Sequence, residues 1–301
     1  MSAKKTGRIL KYWPLFLMVI PGVFHLVSFR LIPLAGSIIA FMDYSVFRPF
    51  WQSPWVGFKH FAFAFNSPAF SQVLINTLVL GFLNIVIVFP IPILLSLMLN
   101  EIGNRYVKKG IQTIVTIPYF LSWVIIGGLT FDFFSLNGPF NIVRSWLNID
   151  PLLIMQNAQY FRPVYVFTAL WHDAGWKTIV YLAAISSMDP QIYESAMIDG
   201  ASRFRQIISI TFPLLLPTAV TLLLLQVGNF ITLGFDHIYN ILTPMTRVTG
   251  EIIDTFVFRT GLQEARYSYA TAVGLFQSVV GFSMILVCNS LSKKYTDGGL
   301  W

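Results

Sequence analysis

Six long apolar stretches, each interrupted by few charges, recur along the sequence. Each holds about 20 mostly apolar residues, the number that an α-helix needs to cross a membrane. Only 11% of the 301 residues are charged, against about 25% in soluble domains, which leaves too little polar surface for a globule in water. The runs are too long and too uniform for barrel strands. We predict an all-α polytopic membrane protein with one transmembrane domain over 1–301 and spans at 12–40, 72–99, 111–134, 163–186, 213–234 and 269–291.

The distribution of Lys and Arg predicts the orientation of these spans. Both residues are denser before the first span, between spans two and three, between spans four and five, and after the sixth. The positive-inside rule therefore places both termini in the cytoplasm. The net charge of +7 follows from this topology, and lipid rather than nucleic acid is the expected partner. The first span resembles a signal peptide, but its apolar run exceeds the ~7–15 residues of a signal h-region, so we favour an uncleaved span.

Motifs for catalysis and for cofactor binding are missing from the sequence. No Lys follows a Gly, so there is no phosphate-binding G-K-[ST] loop. The patterns H-E-x-x-H and G-x-S-x-G are also absent, and the single cysteine, Cys288, cannot build a metal site by itself. We predict no catalytic residue, no metal and no cofactor on this chain. If transport uses ATP, the nucleotide must bind to another polypeptide.

The polar segment at about 187–212, between spans four and five, has a helical pattern. Apolar residues recur there in steps of three and four, at Tyr193, Met197, Ala201, Phe204 and Ile208, as in an amphipathic helix outside the lipid. Gly200 interrupts the pattern and predicts two short helices that meet at a turn. One interpretation is a helix that rests on the bilayer. Acidic residues are mixed with the basic ones, however, and this mixture favours a protein partner.

The same segment resembles the EAA motif of permease subunits from type I ABC importers. The matching residues are Glu194, Ser195, Ala196, Asp199, Gly200, Ala201, Phe204, Ile207 and Pro213, with Ser195 where Ala is usual. The stretch from Trp171 to Trp176 and the continuation at 179–184 look like carbohydrate permeases, and the tail from Leu291 resembles their oligosaccharide and polysaccharide branch. Within that branch, the sequence also resembles the permeases of bacterial importers for acidic glycans such as alginate.

This resemblance implies a fold, a location and a set of partners. It implies the type I importer permease fold in the bacterial inner membrane, with a cytoplasmic coupling helix between spans four and five. A second homologous permease, two cytoplasmic ATPase subunits that bind ATP-Mg, and an extracytoplasmic binding protein would complete the assembly. Oligo- or polysaccharide would cross by alternating access. The residues expected to couple to the ATPase are Tyr193, Glu194, Ser195, Ala196, Asp199, Gly200, Ala201, Arg203, Phe204, Arg205, Ile207 and Pro213.

Ionisable residues inside the predicted spans are candidates for function, because burying charge in a membrane is costly. The predicted substrate path consists of Arg30, Trp171, His172, Asp173, Trp176 and Lys177. Along this path, the indole rings of the tryptophans would stack on sugar rings, and a cationic side chain would bind the carboxylate of a uronate. Alternatively, Asp173 and Lys177 form a self-neutralised i,i+4 pair without contact to substrate. A second alternative is a transporter driven by an ion gradient, with Asp173, His172 or Asp132 carrying protons. A membrane enzyme would lack a nucleophile with a base beside it.

Overall fold

The computed structural model describes residues 12–295, and the regular elements in this range are helices. They are α1 13–41, α2 Lys59–Phe65, α3 Pro68–Asn100, α4 Arg105–Phe120, α5 Trp123–Phe133, α6 Pro139–Trp146, α7 Phe161–Ser186, α8 Pro190–Ile198, α9 Arg203–Gly228, α10 Phe235–Ile241, α11 Arg247–Gly250, α12 Ile253–Phe258 and α13 Tyr267–Tyr295. Short 3₁₀ turns lie at Phe50–Gln52, Ile154–Gln156 and Ala158–Tyr160, and a π-helical turn, Arg259–Gln263, extends α12.

Four of the helices in the described range are long and apolar enough to cross a membrane, namely α1, α3, α9 and α13. The pair α4 and α5 would add a fifth crossing if it acts as one bent span. Helix α7 has 26 residues, but His172, Asp173 and Lys177 lower its apolar character. An all-helical membrane fold is therefore confirmed, whereas the number of six spans stays a prediction.

The expectation of one continuous third span over 111–134 needs correction. This run holds two helices, α4 and α5, with a bend of 103° between them. Pro118 removes a backbone donor near the end of α4, Leu121 is extended, and the Ser122 hydroxyl caps α5 by accepting a hydrogen bond from the Ile125 amide (3.4 Å). Hydropathy alone could not detect the break, because the residues on both sides of it are apolar.

Helix α3 is the central helix of the bundle. It contributes to three buried apolar clusters: Leu80 packs with α7 and α10, Phe70 with α12 and α13, and Phe89 with α7 and α9. Helix α1 differs from α3, because none of its apolar window is buried within the chain. Its side chains are therefore available to lipid or to another subunit.

Three helices widen into a π-helical turn that ends two residues before a proline. The turns are Val27–Leu31 before Pro33 in α1, Asn84–Val88 before Pro90 in α3, and Ile207–Thr211 before Pro213 in α9. A proline ring clashes with the carbonyl four residues earlier, and in each helix that carbonyl lies inside the π-helical turn. The wider turn makes room for the ring, so the prolines explain where these helices depart from α geometry.

Candidate functional site

Helices α8 and α9 meet at a tight turn around Gly200. The Asp189 side chain caps α8 by accepting a hydrogen bond from the Gln191 amide (2.9 Å). At the other end, the Ala201 amide donates to the Ala196 carbonyl (2.9 Å), and Gly200 has φ +75°. In this pattern, a helix ends at a residue in the left-handed conformation, which glycine adopts without strain. The turn that the sequence predicts at Gly200 is present. We call residues 190–206 the α8–α9 tip.

The α8–α9 tip exposes large apolar side chains. Ile198 is 87% exposed, Phe204 70% and Met197 58%. Four polar or charged residues of the predicted coupling set lie in the same segment and are also exposed: Glu194, Ser195, Asp199 and Arg205. An apolar patch with a charged rim is typical of a surface that binds another protein.

Other residues of the predicted coupling set face the chain itself. Ile207 packs against the apolar cluster that α3, α7 and α9 share, and the Tyr193 hydroxyl lies 3.0 Å from Thr211 Oγ1. Arg203, although mostly exposed, lies 3.6 Å from Glu101 at the end of α3. Pro213 lies within continuous helix α9. The second of the two predicted short helices therefore runs on into the fifth apolar run, and the expected start of that span at 213 is corrected. The missing amide of Pro213 is accommodated by the π-helical turn before it.

The charged residues of α7 form a connected cluster. Asp173 Oδ2 lies 3.1 Å from Lys177 Nζ, and Asp173 Oδ1 lies 2.6 Å from His172 Nδ1. The ion pair expected from the i,i+4 spacing is therefore present. The other ring nitrogen of His172 lies 3.3 Å from the Leu121 carbonyl, at the break between α4 and α5. The cluster thus connects α7 to the bend in the third span.

Two aromatic residues that were not predicted from the sequence, Trp123 and His237, also lie in this region. Trp123, the first residue of α5, stacks on His172 with ring centroids 4.1 Å apart and on His237 with centroids 3.8 Å apart. His237 in α10 lies 2.8 Å from the Thr168 hydroxyl. A lone Trp and a lone His in apolar sequence carry no local signal of such stacking, because the three rings come from three different helices.

A polar cavity of about 280 Å³ opens beside Lys177. Three amide side chains, Asn84, Gln226 and Asn229, line it together with Lys177. The Gln226 amide donates to Asn84 Oδ1 (2.5 Å), and Asn84 donates to the Tyr165 hydroxyl (2.9 Å). These amides were not predicted from the sequence, although polar residues inside apolar runs were an available signal. One ammonium and several amides can bind a carboxylate and neighbouring hydroxyl groups.

The remaining residues of the predicted path do not converge on this cavity. Trp176 stacks on Tyr119 (centroids 4.8 Å apart), whereas Trp171 lines a separate apolar cavity of about 510 Å³ with Asp132 and Phe167. Arg30 is exposed on α1, and among the described residues no hydrogen bond or ion pair joins it to the α7 cluster. The structure therefore joins His172, Asp173 and Lys177 directly, whereas Trp176 is linked to His172 only through Tyr119, whose ring centroid lies 5.5 Å from that of His172. Trp171 and Arg30 lie elsewhere.

Comparisons with known proteins show the family to which this chain is similar. The family model described as "Binding-protein-dependent transport system inner membrane component" matches residues 88–297. Two relatives come from Bacillus subtilis (strain 168). The polygalacturonan/rhamnogalacturonan transport system permease protein YteP is 42% identical over 95% of this chain and 90% of its own length, and Protein LplB is 40% identical over 95% and 91%.

Solved structures show the same similarity. A bacterial ABC transporter involved in the import of the acidic polysaccharide alginate contains a chain that is 38% identical, with a TM-score of 0.90 over 97% of this chain and 99% of that one. A second structure holds the alginate transporter in complex with an alginate pentasaccharide-bound periplasmic protein, again at 38% identity and a TM-score of 0.90.

Proposed function

This chain belongs to the family of binding-protein-dependent transport system inner membrane components, and from that premise we propose that it imports acidic oligo- or polysaccharides with the energy of ATP hydrolysis. It is a permease of a sugar ABC importer. The proposed complex contains a second homologous permease, two cytoplasmic ATPase subunits with ATP-Mg, and an extracytoplasmic binding protein. Both termini and the α8–α9 tip would face the cytoplasm. Membership of the family favours this mechanism over the ion-gradient alternative.

The observation that carries the proposed coupling role is the exposed apolar surface of the α8–α9 tip. Ile198 and Phe204 stay open to solvent although each is large enough to stabilise a core. In the proposed complex, both would insert into a cleft on the ATPase, while Glu194 and Arg205 would make charged contacts at its rim. ATP binding closes the ATPase dimer and moves the tip. The nucleotide can shift the bundle between inward- and outward-facing states only by binding one state more tightly.

The polar cavity supports the proposed class of acidic substrates. Lys177 offers a cation to a uronate carboxylate, and Asn84, Gln226 and Asn229 offer amides to sugar hydroxyl groups. Acidic polysaccharides also appear in the names of relatives, as polygalacturonan and rhamnogalacturonan for one and alginate for another. Because Asp173 already neutralises Lys177, an anionic sugar would have to compete with Asp173 or share the ammonium with it.

Reconstitution tests this function directly. The chain would be purified with its neighbouring permease, ATPase and binding protein, and ATP hydrolysis would be measured in liposomes. The binding protein would be loaded in turn with an oligogalacturonide, an alginate oligosaccharide and a neutral maltooligosaccharide. We expect stimulation by at least one of the two uronides and little by the neutral sugar. Failure of the ATPase to co-purify, or equal stimulation by all three, would contradict the proposal.

A further inference from the structure

Tyr193 connects the two helices of the α8–α9 tip at a second point, away from the turn. Its hydroxyl lies 3.0 Å from Thr211 Oγ1 and 3.2 Å from Met188 Sδ. The Thr211 hydroxyl lies 3.5 Å from the Gln206 carbonyl, to which it donates. Either hydroxyl can donate in the bond between Tyr193 and Thr211. Tyr193 therefore faces the base of α9 and not the exposed surface of the tip.

These contacts close a ring of hydrogen bonds. The Gln206 side chain donates to the Ala201 carbonyl (2.9 Å), and the Ala201 amide donates back to Ala196 in α8 (2.9 Å). The path runs from Tyr193 through Thr211, Gln206 and Ala201 to Ala196, one turn along α8 from Tyr193. A helix held to its neighbour both at the turn and at this second point cannot rotate about the turn alone.

The second point of attachment lies on a π-helical turn. Thr211 is the last residue of Ile207–Thr211, the wide turn that Pro213 imposes on α9, and only 2% of Thr211 is exposed. Helices bend preferentially at such turns, because a hydrogen bond of the regular ladder is absent there. The Tyr193 hydroxyl is therefore attached at the position in α9 where a sideways force bends the helix most easily.

We propose that Tyr193 is a positioning residue that transmits the movement of α8 to α9 at this π-helical turn. The inference rests on the proposed function, since the movement originates in an ATPase bound to the exposed side of the tip. Ile198 and Phe204 receive the force on the tip side of the π-helical turn, and the Tyr193–Thr211 bond passes it to the last residue of that turn. Without the bond, the tip follows the ATPase while the part of α9 beyond Thr211 lags behind, so ATP is hydrolysed with less substrate transported.

The test uses the reconstituted full complex and measures uptake of the stimulating uronide per ATP hydrolysed. Tyr193→Phe removes only the hydroxyl, and Thr211→Val removes its partner at nearly equal volume. Each is expected to lower uptake per ATP by about fivefold, the order that one hydrogen bond supports. The double variant should be no worse than either single one, because both remove the same bond. Thr211→Ser, which keeps the hydroxyl, should restore most of the ratio.

Met188→Leu is the matched control, because it removes the sulfur contact of Tyr193 but keeps an apolar side chain of similar volume against the cluster of α3, α7 and α9, and it should leave the ratio unchanged. Co-purification of the ATPase and basal hydrolysis are measured for every variant. A wild-type ratio in Tyr193→Phe, or multiplicative losses in the double variant, would overturn this inference alone. Loss of ATPase binding in the wild-type complex would instead overturn the proposed function. A Tyr193→Phe variant that releases the ATPase would assign Tyr193 to docking and would also contradict the transmission role.

Discussion

The α8–α9 tip and the polar cavity beside Lys177 are built in opposite ways. The tip comes from one continuous stretch, 190–206, whose turn, caps and exposed residues follow one another in the sequence. The cavity joins α3, α7 and the end of α9, and its Asn84 and Gln226 are 142 residues apart. A local site can appear as a motif in a single sequence. A site that depends on helix packing leaves only isolated polar residues, each without an obvious partner.

The glycine at the turn of the tip is expected to give the largest effect. Gly200 has φ +75°, and a Cβ built there would meet no atom within 4 Å. Within this chain, the cost of Gly200→Val therefore lies in the backbone, at about 1–2 kcal/mol or more for a branched residue in the left-handed region. We expect uptake to be abolished. Gly200→Asn, which tolerates this conformation, is the control and should keep most activity; full uptake by the Val variant would show that the turn geometry is dispensable.

Lys177 tests the cavity in the same assay. Lys177→Met should weaken stimulation by the uronide-loaded binding protein about tenfold to a hundredfold, because one charge-assisted hydrogen bond is lost. Lys177→Arg keeps the charge and should lose less. The double variant Asp173→Asn with Lys177→Met separates substrate contact from an unpaired Asp173. If the double variant recovers wild-type stimulation, the pair is only self-neutralised and does not bind substrate.

A glycine in the bundle sharpens the contrast with Gly200. A Cβ at Gly175 in α7 would lie 2.0 Å from the Val115 carbonyl of α4, so Gly175→Ala must push two helices apart. We expect a loss of about 1–3 kcal/mol in stability, seen as a lower melting temperature in detergent. Gly128→Ala in α5 is the matched control, because its Cβ meets nothing within 4 Å. Equal melting temperatures for the two variants would contradict tight packing of α4 on α7.

The smallest effect is expected at Asp43, outside the membrane-spanning helices. Its carboxylate lies 2.6 Å from Lys59 and 2.9 Å from His60, and the hydrogen bond from Lys59 lowers the pKa of Asp43 below its ordinary value. The folded carboxyl thus binds its proton less readily than the unfolded one. Its stabilisation is complete above the ordinary pKa and is lost as the pH falls through the folded value.

The measurement is the melting temperature of Asp43→Asn against wild type at several pH values. Because Lys59 is 61% exposed, solvent screens the pair and the difference near pH 7 should be small. It should close on acidification below the ordinary range of an aspartate. Lys59→Gln removes the same pair and should behave alike. A difference that grows on acidification would contradict the assigned sign.

Several features were predictable because they depend on neighbouring residues. The helical class, the turn at Gly200 and the Asp173–Lys177 pair follow from apolar content, glycine placement and i,i+4 spacing. The break between α4 and α5 was not predictable from hydropathy, because apolar residues continue through it. Tyr193 belongs to the coupling set predicted from the sequence, but only the packing of α8 on α9 shows that its hydroxyl faces Thr211.

The sequence alone was enough to predict a helical membrane protein with a structured polar segment between its fourth and fifth apolar runs, and the resemblance to the EAA motif indicated the permease family. Composition and short-range spacing predict the helices and the segment, because helix formation and membrane insertion depend on residues close together in the chain. The tertiary structure alone decided which polar groups share a cavity, which ring or cavity each tryptophan contacts, and which motif residues stay exposed. Those outcomes depend on how distant helices pack, since a side chain's partners are set by the rotation and depth of each helix against the others.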